Sequence, residues 1–122
     1  MVALAMPSRG GTGSTRGSED EFLDVRSHEG RSWLIELRGE LDLSNAHVLN
    51  QELHLAGLSD AQEIVVDLSR LGFMDSSGLH VLLRAFDREP ERLRLIPAPP
   101  PVQSIFRLTG MDKHLPFQAV EA

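Results

Sequence analysis

The hydrophobic period of this chain changes once between residues 64 and 86, and that change constrains the fold more than any other feature. Ile64-Val65-Val66-Asp67-Leu68 is an apolar run without alternation, as expected of a strand flanked or covered by neighbours. Leu79, Leu82, Leu83 and Phe86 then recur at i, i+3, i+4 and i+7, the apolar stripe of a helix. A strand hands over to a helix, and Asp75-Ser76-Ser77-Gly78 stands at the junction. Backbone N–H groups are free at a helix start, and the helix dipole is positive there. A phosphate on a serine at this place would be tolerated electrostatically, so a reversible phosphoswitch is the leading expectation, ahead of catalysis.

The flanking segments fit the same alternation of strands and helices. Phe22-Leu23-Asp24-Val25 reads as a short first strand and Trp33 to Glu40 as a second, with Ile35 and Leu37 opposite Glu36 and Arg38. Glu29-Gly30-Arg31-Ser32 is turn chemistry, so the two strands are expected to form an antiparallel hairpin. Ser44 and Asn45 are N-cap types ahead of Ala46, Leu49, Leu53 and Ala56 at helical spacing, and Gly57 is a helix stop. Pro90 ends the second helix, and Leu93, Leu95 and Ile96 mark a fourth strand. Pro99-Pro100-Pro101 opens a third helix with Val102, Ile105 and Phe106 inward and Gly110 at its close. Leu115 to Val120 is expected to add a last short strand. The order β-β-α-β-α-β-α-β implies an α/β fold with a mixed sheet. Residues 1–21 hold little to bury and are expected to be a flexible tail ahead of one domain over residues 22–122.

Bulk properties remove several classes of function. A net charge of -6 argues against a nucleic-acid partner. There is no cysteine, hence no disulfide framework and no thiolate chemistry, in keeping with a cytoplasmic location. No apolar run approaches the length of a membrane span. The five histidines show neither an H-x-x-x-H pair nor an H-E-x-x-H pattern, so no metal site and no cofactor is expected. A nucleophile elbow needs glycine two before and two after the serine, and Met74 stands in the first of those places. An enzyme is therefore not expected.

The junction itself carries a local conflict. Asp75 is placed to cap the helix, with Ser76 and Ser77 in the first turn; capping alone would be the plain account. Gly78 does not fit it, because glycine in the first turn costs about 1 kcal/mol relative to alanine. Close approach of a partner's backbone, or tight packing on the sheet, would require the missing side chain. Phe73 is expected in the core, with Met74 open between core and contact.

Leu68, six residues, then Asp75-Ser76-Ser77-Gly78-Leu79 resembles the signature of STAS domains, in particular the bacterial anti-sigma factor antagonists. Gly39-Glu40-Leu41-Asp42-Leu43 resembles an early motif of that family and Leu108-Thr109-Gly110-Met111-Asp112 a late one. The three occur in family order. The resemblance implies a STAS-like domain, with helices packed mainly on one face of the mixed sheet. It also implies a protein that binds a serine-kinase anti-sigma factor, releases a sigma factor, and is switched off when that kinase phosphorylates Ser76; a separate serine phosphatase restores binding. Asp42 and Asp75 match acidic residues of the family beside the phosphosite, and the expected partner-binding residues are Asp42, Met74, Asp75, Ser76, Ser77, Gly78, Leu79 and His80. Neither nucleic acid nor membrane is an expected partner, and a monomer or weak dimer is expected. Asp87 to Arg92 is shorter than usual for the family, and the family's final helix has no counterpart before Ala122. The alternative is a STAS adaptor or scaffold that works without phosphorylation, as in a transporter or lipid-trafficking complex.

Overall fold

A computed structural model describes residues 22–118. The expected tail, residues 1–21, and the end of the expected last strand lie outside the described residues. The turn after His28 joins β1 (Leu23–His28) to β2 (Ser32–Leu41) as an antiparallel pair with Val25 opposite Leu37. The chain continues through α1 (Ala46–Leu58), β3 (Glu63–Met74), α2 (Ser76–Arg88), β4 (Leu93–Ile96) and α3 (Pro100–Leu108). Strand order is β1-β2-β3-β4, with β2, β3 and β4 parallel. Parallel neighbours need a long crossover, and α1 and α2 supply the two required here.

Register places most of the large apolar residues of all four strands on one face, with Leu34, Val65 and Ile96 on the other. Trp33, Ile64 and Leu93 lie side by side, as do Ile35, Val66 and Leu95. All six are buried, in one core with Leu49 and Leu53 of α1, Leu79 and Leu82 of α2, and Val102 and Phe106 of α3. The opposite face is open and polar: Asp24, Arg26, Glu36, Arg38, Asp67 and Arg70 line a shallow cavity of about 140 Å³ there. The expected α/β architecture, a mixed sheet covered on one face, is the one found.

Two expectations about strands change. β3 runs six residues past Leu68, to Met74, because β2 continues beside it through register shifts at Glu36/Arg38 and Gly39/Glu40. Gly39 makes that irregularity possible. Its φ is 107°, and a Cβ there would strike the Phe22 carbonyl oxygen. Within the described residues, the expected last strand gives a parallel bridge between Leu95 and Phe117. Phe117 also stacks edge-on against Phe106, with centroids 4.9 Å apart. The three prolines open α3 with Pro99 at the N-cap, and Gly110 follows its end at φ 77°, a left-handed backbone suited to glycine.

The pole where the parallel strands begin is fastened by Arg92. Its guanidinium donates to the carbonyls of Gly57 (2.8 Å), Ser59 (3.1 Å) and Ala61 (2.8 Å), and to Glu89 Oε1 (2.9 Å). These bonds occupy carbonyls that the end of α1 and the following turn leave open. Among the described residues, no helix is long and apolar enough to cross a membrane.

Candidate functional site

Ligand sites on parallel sheets gather at the carboxyl ends of the strands. Here β2 ends at Leu41 and β3 at Met74, and the two are register partners. The Asp75 N–H donates to the Leu41 carbonyl at 3.1 Å, carrying the pairing one step further. The β2–α1 loop and the start of α2 are thereby brought together.

One carboxylate ties them. Asp75 Oδ1 accepts from the Ser77 N–H at 2.7 Å, the side-chain cap of α2. Asp75 Oδ2 accepts from the Leu43 N–H at 3.2 Å, on the other loop. The β2–α1 loop is also braced from within. Asp42 Oδ1 accepts from the Ser44 N–H (3.0 Å) and hydroxyl (2.6 Å), and the Asp42 N–H donates to Asn45 Oδ1 at 2.9 Å. Asn45 stands at the N-cap of α1, but its side chain does not cap that helix. It turns back instead, with Nδ2 donating to the Glu40 carbonyl at 2.9 Å.

Ser76 is the first residue of α2, exposed, and its hydroxyl makes no hydrogen bond among the described residues. Ser77 is half-buried beside it, and His80 is exposed one turn further on. Asp42 and Asp75 flank the same junction, which brings together the two acidic residues singled out in the sequence. The arrangement leaves a free serine hydroxyl at a positive helix end, bordered by carboxylates. Among the described residues, no group of three histidine, aspartate or glutamate side chains is placed to hold a metal ion.

Three of the expected contact residues face inward. Met74 (2% exposed) and Leu79 (7%) belong to the core, and Gly78 is buried. Met74 shares register with Leu41, and both point to the helix-covered face. Alternation along β3 then turns Phe73 the other way, 49% exposed beside Glu40, so the core expectation for Phe73 is also corrected. Gly78 finds its reason in packing. A Cβ there would lie 2.7 Å from Leu41 Cδ2 and 2.7 Å from Met74 Cγ, so the first turn of α2 sits directly on the strand ends. Sequence reasoning missed Leu43, which is 80% exposed at the tip of the braced loop. The signal was a leucine between Asp42 and Ser44, where turn chemistry calls for polar residues.

Comparison with known proteins agrees with this geometry. The family model described as "Mlab, STAS domain" matches residues 25–118. The anti-sigma F factor antagonist of Paenibacillus polymyxa is 28% identical over 99 residues, covering 78% of this chain and 84% of that protein. Among solved structures, an anti-sigma factor antagonist from Mycobacterium paratuberculosis has the same fold, with a TM-score of 0.73 at 22% identity over 86% of this chain and 92% of that one. The unphosphorylated form of the antagonist SpoIIAA superposes with a TM-score of 0.64 at 27% identity, covering 80% and 89% of the two chains. The phosphorylated form of the Bacillus cell fate determinant SpoIIAA gives a TM-score of 0.57 at 25% identity, covering 81% and 92%. With the family model spanning nearly all of the described residues, the chain belongs to the STAS domain family.

Proposed function

We propose that this protein is an anti-sigma factor antagonist: unphosphorylated, it binds a serine-kinase anti-sigma factor and so frees a sigma factor. Phosphorylation of Ser76 by that kinase ends the contact, and a serine phosphatase restores it. The observation that carries the reading is the state of Ser76, exposed and unbonded at the first position of α2 beside the capping carboxylate of Asp75. The relatives named as antagonists support it, and SpoIIAA among them has a phosphorylated form.

The physics of such a switch is favourable. A phosphoserine adds about -1.5 to -2 charges at neutral pH. The helix N-terminus offsets part of the repulsion from Asp75 and Asp42, so the fold survives. A docked partner meets the new charge and bulk directly, and a loss of ~3 kcal/mol would weaken binding more than a hundredfold. This chain need supply no catalytic base, because the kinase brings ATP and the phosphoryl-transfer machinery. On this reading the protein is a cytoplasmic regulator rather than an enzyme.

The test is intact-mass spectrometry after incubation with ATP and candidate serine-kinase anti-sigma factors from the same genome. One phosphate, mapped to Ser76 and absent from Ser76→Ala, is expected. Ser76→Ala should bind the kinase and stay bound, whereas Ser76→Asp should bind poorly. A second reading is an adaptor that works without phosphorylation, in line with the "Mlab, STAS domain" family model that matches residues 25–118. Stable complexes without phosphate, with equal binding by Ser76→Ala and Ser76→Asp, would establish the adaptor instead.

A further inference from the structure

We infer that Leu43 is the apolar anchor of the kinase contact, a side chain held out by the β2–α1 loop for insertion into a recess of the partner. This rests on the proposed switch and deepens it. Single exposed leucines are common on protein surfaces and carry no meaning by themselves. Leu43 differs from the other strongly exposed leucines in how it is held and where it stands.

Its own N–H is fixed on Asp75 Oδ2 at 3.2 Å. The residues on either side of it are braced by the Asp42–Ser44 bonds, and fully buried Asn45 clamps the loop from behind to Asp42 and the Glu40 carbonyl. The tip is therefore ordered before any partner arrives, so binding costs it little further conformational entropy. Leu58 and Leu108 are equally exposed, at 86% and 82%, and their neighbours are braced too, but Leu58 stands between Gly57 and Ser59 at the Arg92 pole and Leu108 at the end of α3, and among the described residues neither is bonded to the carboxylate that caps the Ser76 helix.

Position supplies the second argument. The carboxylate that holds Leu43 also caps the helix that begins with Ser76. A kinase that brings the γ-phosphate of ATP to the Ser76 hydroxyl must cover this pole, so Leu43 falls inside the contact. Asp75, which accepts from the Leu43 N–H, and Asp42, the residue before it, set negative charge beside it. The partner surface that fits is an apolar recess rimmed by lysine or arginine, beside the phosphate end of a nucleotide site.

The experiment measures binding by calorimetry and phosphorylation kinetics with the serine-kinase anti-sigma factors screened above. Leu43→Ser should weaken binding and raise the kinase KM at least about tenfold with kcat little changed, as expected for loss of a central anchor. Leu43→Met should restore most of the affinity, and Leu58→Ser should match wild type. If Leu43→Ser binds and is phosphorylated like wild type, the anchor is wrong while the switch stands. If Leu58→Ser weakens binding as much as Leu43→Ser, the specific role of Leu43 is also refuted. If wild type is neither bound nor phosphorylated by any candidate kinase, the switch and the anchor fall together.

Discussion

Replacing Gly78 with alanine sets two well-characterised effects against each other. Gly78 lies in the first turn of α2 without a positive φ, so the backbone accepts alanine, and helix propensity alone favours it by about 1 kcal/mol. The added Cβ would stand 2.7 Å from both Leu41 Cδ2 and Met74 Cγ. Carbon pairs prefer roughly 3.5–4.0 Å, so each overlap is on the order of 1 Å. Leu41 is fully buried and Met74 nearly so, which leaves neither room to retreat. Overpacking of this kind costs about 1–3 kcal/mol. The net expectation is a destabilisation of about 1 kcal/mol, read as a lower urea midpoint at unchanged m-value. Met74→Ala removes one of the two atoms in the way, so Gly78→Ala should cost less in that background, with a coupling above about 0.5 kcal/mol. A Gly78→Ala protein stabilised by about 1 kcal/mol would refute the packing account and return Gly78 to a role in partner approach.

Arg92→Met removes a charged donor from three carbonyls and Glu89, and should cost about 2–4 kcal/mol in urea unfolding without altering phosphorylation of Ser76. Asp75→Ala should lose about 1 kcal/mol from the cap alone, and more through the freed Leu43 N–H. Asp75→Asn retains one acceptor oxygen, so thermal unfolding should place it between wild type and Asp75→Ala.

Much of this arrangement is legible in the sequence. The change of period around Asp75 located the β3–α2 junction, and the capping role of Asp75 holds, with Ser77 as the donor. The packing of Gly78 was one of two alternatives, because a missing side chain announces crowding without naming the neighbour. The far half of β3 was not legible. Ser69, Arg70 and Gly72 break the apolar pattern, and only pairing across a bulge with Gly39 and Glu40 makes a strand of them. The exchange of Phe73 and Met74 has the same origin, since a bulge resets which residues face the core. The double use of Asp75 needed tertiary structure, because Leu43 is 32 residues away in sequence.

The placement of Arg92 and Ser76 at opposite poles has a practical consequence for handling the protein. The Phe22 carbonyl accepts from the Glu40 N–H, so the described chain begins on the Ser76 side. Asp60 is exposed between Ser59 and Ala61, both held by Arg92. The chain has no cysteine of its own, so Asp60→Cys provides a unique thiol for a dye or a sensor surface, with the serine and the leucine tip turned toward solution.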